Sequence, residues 1–159
     1  LWSAQGITNE SGFRTAPSAG ATFPLELYVV VNNVENLKTG LYHYLPLKHE
    51  LEVIRLEDLK SRLTDACLGQ AMITEAGAVF VFGAVFERTA KRYGDRAERY
   101  VYNEVGHAAQ NLHLQAATLG LGTVVIGAFV DSAVDSILCL DNDVKSIYLM
   151  PVGKVQSVK

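Results

Sequence analysis

The chain has 159 residues, 49% of them apolar and 19% charged, with a formal net charge of −3. That length sets one domain with a core of its own, and the slight acidity excludes the basic patch or stripe of a nucleic-acid-binding protein. The charged fraction is below the usual quarter, which implies more buried surface than a monomer of this size needs and points to a large homo-oligomer interface.

From the N-terminus, Trp2 to Asn9 predicts a short helix. Phe13 to Ala21 is a turn of small residues carrying Arg14 and Ser18, set on the lip of the strand Leu25–Val31. Backbone N–H groups in such a turn can approach a flat ligand closely, because few side chains stand in the way. The same turn also suits a plain connector, and these residues alone leave both readings open. Further strands are predicted at Gly40–Tyr44 and Leu51–Arg55, separated by turn residues that include Asn36 and Pro46.

A helix is expected from Leu56 or Glu57 to Leu68, ended by Gly69, with a helical turn at Ala71–Thr74. Gly77–Phe86 is a continuous apolar run, as in a central strand buried on both faces. Glu87–Tyr93 reads as a short helix. Arg88, Lys91, Arg92, Arg96 and Arg99 are interspersed with Glu87, Asp95, Glu98 and Glu104, a mixture that reads as a solvated, salt-bridged face.

The dominant element runs from about Arg96 to Leu119. Val101, Val105, Ala108, Leu112, Ala116 and Leu119 recur at helical spacing. A second, polar stripe of Glu104, His107, Asn111, Gln115 and Thr118 recurs beside it, and needs partners in a neighbouring loop, a second copy or a ligand. Val105 to Val130 contains no charged residue, so the segment should be buried in protein. Thr123–Phe129 reads as a buried strand, Asp131 as the N-cap of a helix to about Leu138, and Lys145–Pro151 as the last strand. The whole is a mixed α+β sheet with helices packed over it.

Other chemistries are disfavoured. Gly120, Gly122 and Gly127 follow a helix and open a strand, the reverse of a dinucleotide-binding loop. Cys67 and Cys139 form no CxxC pattern and suit a reducing, cytoplasmic compartment. The four histidines lack HExxH spacing, so no metal site is expected. Ser18 with His107 is a conceivable nucleophile–base pair but sits in no recognisable elbow. No signal peptide or membrane span is read. Because the chain opens with Leu1 rather than Met, an N-terminal piece is expected to precede it.

Taken in order, several motifs resemble the FMN-dependent nitroreductase superfamily, and more narrowly its azoline-dehydrogenase branch. They are Trp2–Gly6, Arg14–Ala21 with Pro24-Leu25-Glu26, Gly40–Tyr44, Tyr93-Gly94 with Arg96 and Arg99-Tyr100, Glu104–Ala117, Gly120–Phe129 and Pro151-Val152-Gly153. The resemblance implies a mainly antiparallel sheet flanked by helices, a long central helix at the interface of an intertwined homodimer, and FMN between the subunits. It implies that Pro17, Ser18 and Ala19 line the flavin, that Val125, Ile126 and Gly127 contact the ring from the other side with Gly122 nearby, and that no catalytic acid or base is required. The family's arginine-rich phosphate arm falls before Leu1, so Arg14 and Lys154 are the expected phosphate clamp if their loops converge. The implied activity is ping-pong hydride transfer through the flavin. NAD(P)H would be the donor in a nitroreductase; a thiazoline or oxazoline, on a small molecule or modified peptide, would be oxidised in an azoline dehydrogenase with a cyclodehydratase partner. The competing expectation is a flavin-fold dimer serving as a non-catalytic binding or scaffold subunit.

Overall fold

The computed structural model describes residues 1–155. Six strands form one sheet in the order β3-β2-β1-β4-β6-β5, comprising β1 Leu25–Val31, β2 Gly40–Leu45, β3 Glu50–Arg55, β4 Ala78–Val85, β5 Leu121–Thr123 and β6 Val144–Lys154. All five pairings are antiparallel. The α+β architecture is therefore as expected.

β4 is central, between β1 and β6, and its apolar run alternates between two cores. Val79 and Val81 face helices α2 (Lys60–Ala66), α3 (Ala71–Glu75) and α6 (Asp131–Ile137), among Leu59, Leu63, Ile73 and Val134. Phe82 and Ala84 face the long helix α5 (Ala97–Thr118), against Val101, Val105, Ala108 and Leu112. The sheet is thus a filling between two helical layers, with the period-2 strand pattern feeding both. α1 (Trp2–Gln5) and α4 (Phe86–Tyr93) pack on α5.

Several element boundaries differ from expectation, among them β6, which runs Val144–Lys154 instead of Lys145–Pro151. The first helix stops at Gln5, because Gly6 is extended and its carbonyl accepts a hydrogen bond from the Thr15 amide at 2.9 Å, turning the chain back along itself. The helix after β3 begins at Lys60, with Leu59 fully buried in the preceding position. Asp131 is the first residue of α6 and makes no side-chain cap; Val130 precedes it. The expected strand Thr123–Phe129 is displaced to Leu121–Thr123, followed by a single bridge from Ile126 to Leu149. The register that pairs Thr123 with Val152 puts Val124 opposite Pro151, which has no N–H to donate, and there the ladder breaks.

Phe82 is completely buried between β4 and α5. Phe82→Ala should lower the unfolding free energy by about 3–5 kcal/mol in urea titrations. Leu47→Ala, at a side chain 86% exposed, should change it by less than about 0.5 kcal/mol.

Candidate functional site

The turn from Arg14 to Phe23 is strapped onto two helices. Asn111 of α5 donates its amide to the Thr15 carbonyl at 3.0 Å. From α4, Arg92 donates to the Gly20 carbonyl at 3.1 Å, Arg88 donates to the Phe23 carbonyl at 3.0 Å, and the Thr89 and Thr22 hydroxyls pair at 2.9 Å. Within the turn, the Phe23 amide donates to the Ser18 hydroxyl oxygen at 2.9 Å. The chain needs this bracing, since Gly20, Ala21 and Phe23 all have left-handed φ values of 57°, 55° and 45°. Such backbone costs energy for a side chain with a Cβ and persists only where its surroundings hold it. At Gly20 even the space is missing: a Cβ would lie 2.6 Å from the Tyr93 hydroxyl.

Glu104 lies beneath the turn, 3% exposed, facing the Ser18 hydroxyl and the Ala19 amide. Burial pushes its carboxyl up to about 7, although Ser18, Ala19 and the charge of Arg14 each pull it down. The basic cluster is thus not a self-paired solvated face. Arg88 pairs outside the cluster with Glu26 at 2.5 Å, and Arg88 and Arg92 both serve the turn. The visible sign of Glu104's role was its place at the head of the polar stripe. Arg88, Thr89 and Arg92 gave no such sign, because their partners lie 65 or more positions away.

The polar stripe divides its work. Glu104 and Asn111 serve the turn, while the Gln115 amide donates to the Thr118 hydroxyl at 3.1 Å. His107 is exposed and the Ser18 oxygen is already engaged by Phe23, so the two form no nucleophile–base pair. The uncharged segment is not wholly buried within one chain: His107, His113, Leu114, Leu119, Val124 and Val125 are exposed.

The second half of the expected site is at the other end of α5. Gly122, Thr123, Val124 and Lys154 line a cavity of about 300 Å³ together with Glu75, and Val125, Ile126 and Gly127 lie outside its lining. The Thr123 hydroxyl is buried there without a hydrogen-bond partner, beside a lysine that has no ion pair among the described residues. A hydroxyl donor next to an ammonium suits a phosphate. Along 124–129, the Ile126 amide, bonded to the Leu149 carbonyl at 2.8 Å, is the only one with a backbone partner among the described residues. The amides of Val125 and Gly127 are therefore available to a ring laid against them, and Gly127 sits where a Cβ would press on Tyr148 at 3.4 Å. These features fit a flavin mononucleotide.

Within one chain the two halves remain apart. Pro17, Ser18 and Ala19 share no cavity with Gly122, Val125, Ile126, Gly127 or Lys154 among the described residues. Arg14 and Lys154 line different cavities and form no clamp; Arg14 is instead fixed over the Phe23 ring, 4.9 Å from its centroid, and donates to the Gln5 carbonyl at 3.0 Å. Among the described residues no cluster of His, Cys, Asp and Glu could hold a metal ion, and no helix is long and apolar enough to cross a membrane. Cys67 is buried, which pushes its thiol up to about 11, and Cys139 is exposed; neither is in a disulfide.

Comparison with known proteins places these features in context. The pattern of the Nitroreductase family matches residues 1–154. An inferred nitroreductase of Methanocaldococcus jannaschii is 47% identical over 154 residues, 97% of this chain and 77% of that protein. The microcin B17-processing protein McbC of Escherichia coli is 31% identical over 133 residues, 80% of this chain and 49% of that protein. The solved E. coli microcin synthetase McbBCD complex, with truncated pro-MccB17 bound, contains a chain that superposes with a TM-score of 0.87 at 29% identity, over 99% of this chain and 62% of that one.

Glu104 supplies a pH test of the turn. Its carboxyl ordinarily titrates near 4.5 and in the fold near 7, so the neutral form is the one the fold prefers. Below 4.5 the group is neutral in both states; as pH rises from 4.5 through 7 the unfolded chain ionises first and stability is lost, fully so above 7. Glu104→Gln is neutral throughout. Urea unfolding at pH 5 to 8 should show the variant gaining on the wild type across that window and levelling above it, by at most about 3 kcal/mol.

Proposed function

The chain belongs to the nitroreductase family, and from that premise we propose that it is an FMN-dependent oxidoreductase acting as a homodimer. Pro17, Ser18 and Ala19 of one copy would face Gly122, Val125, Ile126, Gly127 and Lys154 of the other across the bound ring. The observation that carries this reading is the run of free backbone amides at Val125 and Gly127, which follows in sequence a groove holding Lys154 and an unpartnered Thr123 hydroxyl. FMN, when bound, supplies the ring that accepts a hydride from one substrate and yields it to the next.

The residues of this chain bind and orient. Lys154 and Thr123 would hold the phosphate. The Val125 and Gly127 amides would offer donors to the ring, which gains charge on reduction. Glu104, from below, fixes Ser18 and Ala19, and the side chains of α4 hold the rest of that turn. No side chain is asked to move a proton. The exposed, uncharged face of α5, with Leu114 and Leu119, would be covered by the second copy, which also closes the site.

NAD(P)H is the proposed electron donor. The similarity to the microcin B17-processing protein and to the synthetase complex favours a second reading, in which an azoline on a modified peptide is the substrate and a cyclodehydratase is a partner. The chain spans about half the length of that processing protein.

Titrating FMN into the purified protein tests the reading: retention, a flavin spectrum, and anaerobic bleaching by a reduced nicotinamide are expected. Failure to retain FMN would overturn it in favour of a binding or scaffold subunit. Lys154→Ala should weaken FMN binding about 10-fold or more, the worth of a charge-assisted contact. Leu114→Asp should convert the dimer to monomers in sedimentation and lose FMN at the same time. A monomeric variant that keeps its FMN would refute the shared site.

A further inference from the structure

A second groove opens behind the turn, on the side away from Ser18. It has a volume of about 460 Å³ and is walled by Phe23 and Leu25 on one side and by Leu45, Pro46 and Leu47 of the β2–β3 turn on the other. Arg14 and Lys48 stand on its walls, and neither has a carboxylate partner among the described residues. The acidic residue in the lining, Glu26, is already engaged twice, by Arg88 at 2.5 Å and by His43 at 2.8 Å. Glu26 acts on Arg14 only through space, so neither Arg14 nor Lys48 has a carboxylate in direct contact among the described residues.

Arg14 is held in place without being neutralised. Its guanidinium stacks on Phe23 and gives one hydrogen bond to the Gln5 carbonyl, while its Nε is buried and unpartnered. Burial lowers its pKa from the ordinary arginine value, the mark of a charge moved out of water with too little in return. Phe23, which forms the floor beneath it, is one of the residues with left-handed backbone. A strained aromatic carrying a cation with no carboxylate in contact, at the mouth of an apolar groove, is costly for stability and marks a candidate ligand site.

We propose that this groove is a binding site for a small apolar carboxylate, its acid group on the Arg14 guanidinium and its apolar body between Phe23 and Leu47. The volume suits a ring-sized or short-chain acid rather than an extended peptide. The planar guanidinium can take a carboxylate through two parallel hydrogen bonds, with Lys48 adding charge from the rim. The groove is distinct from the flavin face but joined to it, because the Phe23 amide bonds to the Ser18 oxygen.

The test uses 2-naphthoate and its neutral counterpart 2-naphthamide, titrated into the full chain by calorimetry and followed by backbone amide shifts. Naphthoate should bind at least about 10-fold more tightly than naphthamide, the worth of a charge-assisted pair, with shifts centred on Phe23, Leu45 and Leu47. Arg14→Gln should remove the preference for the acid. Lys48→Gln, at an exposed side chain where folding is not at stake, should reduce it about twofold to threefold. Saturating FMN should leave naphthoate affinity unchanged. Equal affinity for acid and amide, shifts centred on 17–19 or 122–127, or competition with FMN would each overturn the proposal; the last two would place the acid on the flavin face and leave the oxidoreductase reading intact.

Discussion

Helix α5 buries Val101, Val105, Ala108, Leu112 and Ala116 against the sheet, and that contact fixes how the helix is turned about its axis. Everything else on it follows from the rotation. Residues three and four apart share a face, so Glu104 and Asn111 must both come under the strap of chain from Arg14 to Phe23. Further round the helix from the core, His107, Gln110 and Leu114 are exposed. A rotated α5 would lose not only apolar burial but the groups that hold the turn. Core and site are thus coupled through one element, which is why the site is placed by rigid structure although most of its atoms are in loops.

How much of this was legible in the sequence depends on the range of each interaction. The central strand, the long helix and the antiparallel hairpins follow from patterns within a single element: a continuous apolar run in β4 and apolar residues at steps of three and four in α5. The Pro17–Ala19 turn stood out because small residues cluster there. What could not be read was what presses on the turn. The bonds from Arg88, Thr89 and Arg92 span 65 to 72 positions, and a run of mixed charges looks alike whether it faces water or a distant carbonyl. The displaced β5 is a different case. Val124 to Ile126 is a good strand by composition, but Pro151 on its partner removes a donor from the ladder, and only the register shows that the two meet.

The edge position of this segment has a chemical consequence. Backbone groups alternate sides along a strand, so with Ile126 bonded to Leu149 the amides of Val125 and Gly127 point away from β6. With the pairing interrupted and resumed once at Ile126, the segment stays anchored by the 2.8 Å bond to Leu149 while the amides on either side remain free. Free backbone donors on an anchored segment are pre-organised, so little reordering is needed when charge arrives on a bound ring. The sheet edge thereby presents a surface suited to a flat, electron-accepting group.

The use of cations around the turn follows the same logic. A loop that presents its amides to a ligand has carbonyls to satisfy on its other side. Arg88 and Arg92 take those of Phe23 and Gly20, and Asn111 takes that of Thr15. Arg88 is in addition paired with the Glu26 carboxylate. Arg14 breaks this economy. Like Arg92 it has a carbonyl, an aromatic ring and no ion pair among the described residues, but its Nε is buried without a partner and it lines an apolar groove. An arginine whose only requirement was to brace the turn would be served as Arg92 is, at the surface and in contact with water. Its placement on the wall of an apolar groove makes sense if the missing anion is a ligand that comes and goes.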